Sequence, residues 1–164
     1  MGLEIERKFL VKNLKFLDGV EGVRYSQGYI PTNGNPGLRV RIAGERAFIT
    51  LKSDVSPDGV RHEFEYDVPI GDAEEMIDLF CRKPLIEKIR YKLRFKDLLW
   101  EIDVFEGDNE GLIIAEVELE DKDQKVELPE WVGEEVTAYP RYCNSRLATN
   151  PYCNWTNGTK AGRL

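Results

Sequence analysis

Charged and apolar residues alternate along most of this chain, and a period of two restricts those stretches to strands of an antiparallel sheet. Eight segments carry the pattern, over residues 3–11, 24–30, 38–43, 46–53, 60–68, 86–95, 98–105 and 112–119. In a strand, residues i, i+2 and i+4 share a face. Glu4, Glu6 and Lys8 therefore oppose Leu3, Ile5 and Phe9. Arg39 and Arg41 oppose Leu38, Val40 and Ile42, while Thr50 and Lys52 oppose Ile49 and Leu51. Arg61, Glu63 and Glu65 lie across from His62, Phe64 and Tyr66; Lys88, Arg90 and Lys92 lie across from Ile89, Tyr91 and Leu93. Glu101 and Asp103 oppose Ile102 and Val104, and Glu116 and Glu118 oppose Val117 and Leu119. Turn residues punctuate the segments at Ala43-Gly44-Glu45, Ser56-Pro57-Asp58-Gly59 and Lys96-Asp97. Helical signals are few: an amphipathic stretch over 72–80, a turn over 13–17, and two short helices over 133–137 and 140–148, the second opening on Pro140.

A sandwich with a salt-bridged exterior satisfies this alternation, because half-buried antiparallel strands turn their polar face to water. Three features favour the opposite orientation. The charges are sorted by strand, basic on the third, fourth and sixth and acidic on the last two, whereas solvent faces mix signs. Eight strands suffice to close a barrel. The residue types are those of phosphate chemistry: Arg and Lys bind phosphate oxygens, and paired carboxylates hold the cations that bridge them. With that face inward, the interior is a basic channel with acidic strips, and the apolar exterior needs helices to cover it.

Composition narrows the partners. A length of 164 residues suits one domain with a core, and the net charge of -7 disfavours duplex nucleic acid. No apolar run is long enough to span a bilayer, and the first residues lack the basic flank and apolar core of a signal peptide, so the cytoplasm is the expected location. His62 is the one histidine, and Cys81, Cys143 and Cys153 lack the paired spacing of a zinc site. A bound metal would be held by carboxylates, which favours magnesium or manganese. There is no P-loop and no dinucleotide-binding glycine turn.

Glu4-x-Glu6-x-Lys8 resembles the ExExK signature of the CYTH superfamily, the triphosphate tunnel metalloenzymes. Gln27-Gly28-Tyr29, Leu38-Arg39-Val40-Arg41, Thr50-Leu51-Lys52, Glu63-x-Glu65, Lys88-x-Arg90, Glu101-x-Asp103 and Glu116-x-Glu118 follow in that family's order, and residues 142–148 resemble its closing helix. The resemblance implies a mainly β (α+β) fold: a closed eight-stranded antiparallel barrel with a few flanking helices, including one at the C-terminus. It spans one domain over 1–150, leaving a polar tail over 151–164. The implied activity is metal-dependent hydrolysis of a small-molecule triphosphate, inorganic tripolyphosphate first, with two divalent ions. By the same resemblance, Glu4, Glu6, Glu116 and Glu118 hold metal. Lys8, Arg39, Arg41, Lys52, Lys88 and Arg90 clamp phosphate, with Lys8, Glu6 and Tyr29 nearest the reacting group. Glu63, Glu65, Glu101 and Asp103 orient the cations.

Two other activities compete: an adenylate cyclase that converts ATP to cyclic AMP, and a non-catalytic polyphosphate or nucleotide sensor. Monomer and homodimer stay open. His62 alternates away from Glu63 and belongs to the outer face.

Overall fold

The computed structural model describes residues 2–156. Among them, ten strands form one antiparallel sheet: β1 (Gly2–Glu4), β2 (Glu6–Val11), β3 (Gly22–Ile30), β4 (Gly37–Ala43), β5 (Arg46–Lys52), β6 (Arg61–Val68), β7 (Ile86–Phe95), β8 (Leu98–Phe105), β9 (Ile113–Glu118) and β10 (Val132–Glu135). Helix α1 (Ile70–Phe80) follows β6, and the single turn α2 (Asn144–Leu147) lies near the C-terminus. The hydrogen-bonded order is β1-β6-β5-β4-β3-β7-β8-β9-β2-β10. No helix among the described residues is long and apolar enough to cross a membrane.

The expected closed eight-stranded barrel differs from this ladder, which is a ten-stranded order with two free ends. Two local events account for the difference. The first expected strand is interrupted at Ile5, so β1 pairs with β6 while β2 pairs with β9. The Ile5 carbonyl accepts from the Leu119 amide at 2.8 Å, on the β9 side. The helix expected over 133–137 is instead β10, paired with β2. Its flanks dock on the same strand: the Lys12 amide donates to the Trp131 carbonyl at 2.9 Å, and the Val136 amide to the Lys8 carbonyl at 2.8 Å. A side-chain carbon at Gly133 would stand 3.1 Å from the Leu10 carbonyl oxygen, so the glycine permits this close pairing.

Other expectations shift by smaller amounts. The turn over 13–17 is a 3-10 turn at Lys15–Leu17. The helix over 140–148 divides into a 3-10 turn at Pro140–Tyr142 and α2, because Cys143 is extended between them (φ -70, ψ 138). The tail expected over 151–164 falls into two parts. Residues 157–164 lie outside the described residues, while Trp155 is 5% exposed and stacks edge-on with Tyr142.

The apolar side of the sheet is covered in three patches. Val40, Ala47, Ala73, Ile77 and Cys81 join α1 to β4 and β5. Phe9, Trp100, Val117 and Trp131 form a second cluster, roofed by Phe16 stacked on Trp131 at 4.0 Å. Ile86, Phe105, Ile114, Tyr142 and Trp155 form a third, beneath the C-terminal segment. Leu3, Phe64 and Tyr66 stay exposed on that outer side.

Gly28 marks the closest approach of β3 to the segment after α1. A side-chain carbon there would meet Cys81 Cβ at 2.7 Å and Leu85 Cδ2 at 2.9 Å. Gly28→Ala is expected to cost about 1–3 kcal/mol by overpacking, read as a lower urea midpoint with an unchanged slope.

Candidate active site

The charged sides of the strands line a cavity of about 880 Å³. Glu4, Glu6 and Lys8 reach it from β1 and β2, Arg39 and Arg41 from β4, and Lys52 from β5. Glu63 and Glu65 enter from β6, Arg90 from β7, Glu101 from β8, and Glu116 and Glu118 from β9 or its end. Tyr29 lines it from β3. Alternation places these groups on one face of each strand, and the long-range pairing turns that face onto the cavity.

Most of these cations are shared among carboxylates; Arg41 is not, and its Nε donates to Gln27 Oε1 at 2.8 Å. Lys52 Nζ lies 3.1 Å from both Glu4 oxygens and 3.5 Å from Glu63. Arg61 Nε donates to Glu4 at 2.6 Å. Lys8 Nζ stands 3.6 Å from Glu6 and 3.6 Å from Glu116. Arg39 donates to Thr50 and Glu65, both at 3.1 Å, while its Nε is buried without a partner. Arg90 grips Asp103 with two bonds, at 2.7 and 2.8 Å, and Glu101 at 3.1 Å.

Two expected site residues stand off the cavity wall. Lys88 and Asp103 are each fully buried, and Lys88 Nζ donates to Asp103 at 2.7 Å and to Asn144 Oδ1 at 3.0 Å. Lys88 therefore supports the floor from behind instead of facing the cavity. Burial, with Arg90 and Arg41 nearby, pushes its ammonium down to about 7 despite Asp103. Asp103 is held well below the usual carboxylate range: burial opposes its charge, but Arg90 and Lys88 outweigh that.

The N-terminal carboxylates diverge. Burial resists the charge on Glu4, yet Lys52 and Arg61 prevail and lower it to about 2. Glu6 is pushed up to about 7 by burial and by the neighbouring Glu116, which Lys8 only partly offsets. Lys8 is held charged, since Glu116 and Glu6 outweigh its burial. Arg41 is lowered to about 10 by burial and then by Arg39 and Arg90.

These shifts set the acid profile of the metal-free protein. Glu6 takes up its proton near 7 when folded and near 4.5 when unfolded, so its contribution grows as pH falls between those values. Glu63 and Glu118, also raised, act in the same sense. The stability that Glu4 supplies is present above 4.5 and is lost as pH falls toward 2, and Asp103 and Glu116 act with it. After chelation, the urea midpoint is expected to rise from pH 7 to about pH 5 and to fall again by about pH 3.

The donor set fits a hard divalent ion. Its carboxylates offer only oxygen, and Glu6, half-buried, has Glu116 and Glu4 opposing its charge, a repulsion that a cation would relieve. Among the described residues, no three such side chains are gathered into a ready-made cage.

Alternation put Arg61 on the same face as Glu63 without assigning it a part; the structure sets it against Glu4 and Glu6. Asn144, Ser145 and Arg146 also line the cavity. They lie in the segment recognised as a closing helix, but periodicity could not aim them. Tyr25, unmarked in the sequence, lies under Arg41 and Arg90, each 5.0 Å from its ring centre.

The CYTH domain model matches residues 2–145. A protein of Acetivibrio thermocellus named inorganic triphosphatase is 45% identical over 155 residues, spanning 94% of this chain and 99% of that protein. One of the same name from Nitrosomonas europaea is 40% identical over 150 residues, spanning 88% of this chain and 96% of that protein. The crystal structure of an inorganic triphosphatase superposes with a TM-score of 0.65 at 37% identity, covering 90% of this chain and 95% of that one.

Proposed function

Because this chain belongs to the CYTH domain family, we propose that it is a metal-dependent triphosphatase, cleaving inorganic tripolyphosphate to phosphate and pyrophosphate in the cytoplasm. One observation carries this reading: five cations, Lys8, Arg39, Arg41, Lys52 and Arg90, converge with carboxylates on one cavity large enough for a small polyanion. The two relatives named inorganic triphosphatase, each matched over nearly its whole length, support the choice of substrate.

We read the N-terminal strand as the seam of a tunnel. Only Ile5 separates β1, paired with β6, from β2, paired with β9, so one short stretch of chain touches both ends of the seven-strand run from β6 to β9. The tunnel domain covers residues 1–150. Glu4 and Glu6, with Glu116 and Glu118, hold the divalent ions, two in number and magnesium or manganese in kind. When bound, such ions polarise phosphoryl oxygens and lower the pKa of water.

The chain's own residues do the rest. Arg39, Arg41, Lys52 and Arg90 neutralise phosphate oxygens and hold the substrate in line. Lys8, kept charged by Glu116 and Glu6, meets the charge that builds on the terminal phosphoryl group, and Tyr29 donates beside it. Glu63, Glu65 and Glu101 orient the guanidinium and ammonium groups between turnovers, and Asp103 fixes Arg90 and Lys88 from below. No covalent intermediate is needed.

The test is a panel of tripolyphosphate, thiamine triphosphate and ATP with magnesium or manganese, reading phosphate, pyrophosphate and cyclic nucleotide together. Metal-dependent phosphate release from tripolyphosphate is expected. Cyclic AMP from ATP would point to the cyclase, and saturable binding without turnover to a sensor.

A further inference from the structure

The inner face of β3 carries Tyr25, Gln27 and Tyr29, three uncharged residues among the cations. Gln27 is 0% exposed and stands behind the cavity wall. Its Oε1 accepts from Arg41 Nε at 2.8 Å, and its Nε2 donates to Tyr29 Oη at 3.0 Å. The orientation of this amide follows from its partners. Arginine can only donate, so the carbonyl must face Arg41 and the NH2 must face Tyr29.

Two consequences follow for groups on the cavity wall. Arg41 spends its inner nitrogen on Gln27, and among the described residues its two terminal nitrogens make no hydrogen bond to the protein. Tyr29 Oη accepts from Gln27 and has no second partner among the described residues, so its own proton is free to donate into the cavity. A phenol in contact with a carboxylate would instead spend that proton on the protein.

We propose that Gln27 is a positioning residue: it locks Arg41 and Tyr29 into one donor pair aimed at a substrate phosphoryl oxygen. This rests on the triphosphatase reading above. Glutamate at this place has the same shape but can only accept, so it satisfies Arg41 while drawing the Tyr29 proton away from the substrate.

The experiment is a double-mutant cycle with Gln27→Glu and Tyr29→Phe on the full chain, with folding checked by circular dichroism. Each single variant is expected to lower kcat for tripolyphosphate about tenfold, and the double variant to fall no more than about twofold below Tyr29→Phe. The added negative charge by itself raises KM alike in both backgrounds, so kcat separates the two effects. A Gln27→Glu loss in kcat of equal size with Tyr and with Phe at 29, or no loss at all, overturns the proposal. If Gln27→Glu does not fold, Gln27→Met runs the same cycle. If the unaltered chain releases no phosphate, the triphosphatase reading fails instead. The cycle is then read on tripolyphosphate affinity in chelator by isothermal titration, where additivity overturns Gln27's part.

Discussion

Glu6→Gln is expected to reduce metal-dependent tripolyphosphate hydrolysis by at least about a hundredfold, while the metal-free protein becomes more stable at neutral pH and above. The two effects have one origin. Glu6 is half-buried, with Glu116 and Glu4 opposing its charge, and Lys8 at 3.6 Å and Arg61 at 3.7 Å do not compensate fully. Its carboxylate is therefore costly when ionised, and a divalent ion is what makes the charge useful. The neutral amide removes that cost, worth about 1–3 kcal/mol at neutral pH in chelator, and keeps the shape. Phosphate release and urea unfolding of one preparation test both halves. Undiminished hydrolysis would remove Glu6 from the metal site. Lower stability in chelator would mean that its ion pairs outweigh its burial.

Asp103→Ala is expected to destabilise the fold by about 3–5 kcal/mol, the largest stability effect anticipated for a site residue. Asp103 is fully buried and receives three hydrogen bonds, two from Arg90 and one from Lys88. Its removal leaves two buried cations, with Arg41 close enough to add to the repulsion. Lys88 can release its proton and so escape part of the penalty, whereas Arg90 cannot. Lys88→Met added to Asp103→Ala is therefore expected to recover part of the loss, because one uncompensated charge goes with it. Urea unfolding of the two variants measures this. A loss under about 1 kcal/mol for Asp103→Ala would show that water reaches the pair and takes over its role.

Much of the site was legible before folding because its information is local. Alternation alone assigns Glu4, Glu6 and Lys8 to one face, and Arg39 and Arg41 to another strand's matching face. The alternating stretches over 86–95 and 98–105 coincide with β7 and β8, because the turn residues between them bound both. The sorting of signs by strand also needs no coordinates.

What the sequence determined by itself is the partition of each strand into a charged and an apolar side, since the pleat repeats every two residues whatever the surroundings. The tertiary structure decided which side turns inward: Glu6, Arg41 and Arg90 line a cavity, while Phe64 and Tyr66 meet solvent. It also decided that Lys88 is buried against Asp103 and Asn144 instead of lining the cavity, that Val132–Glu135 pairs as a strand, and that Arg61 and Asn144 join the site. Those outcomes depend on partners distant along the chain, such as Lys88 with Asn144, and no periodicity within a segment encodes them.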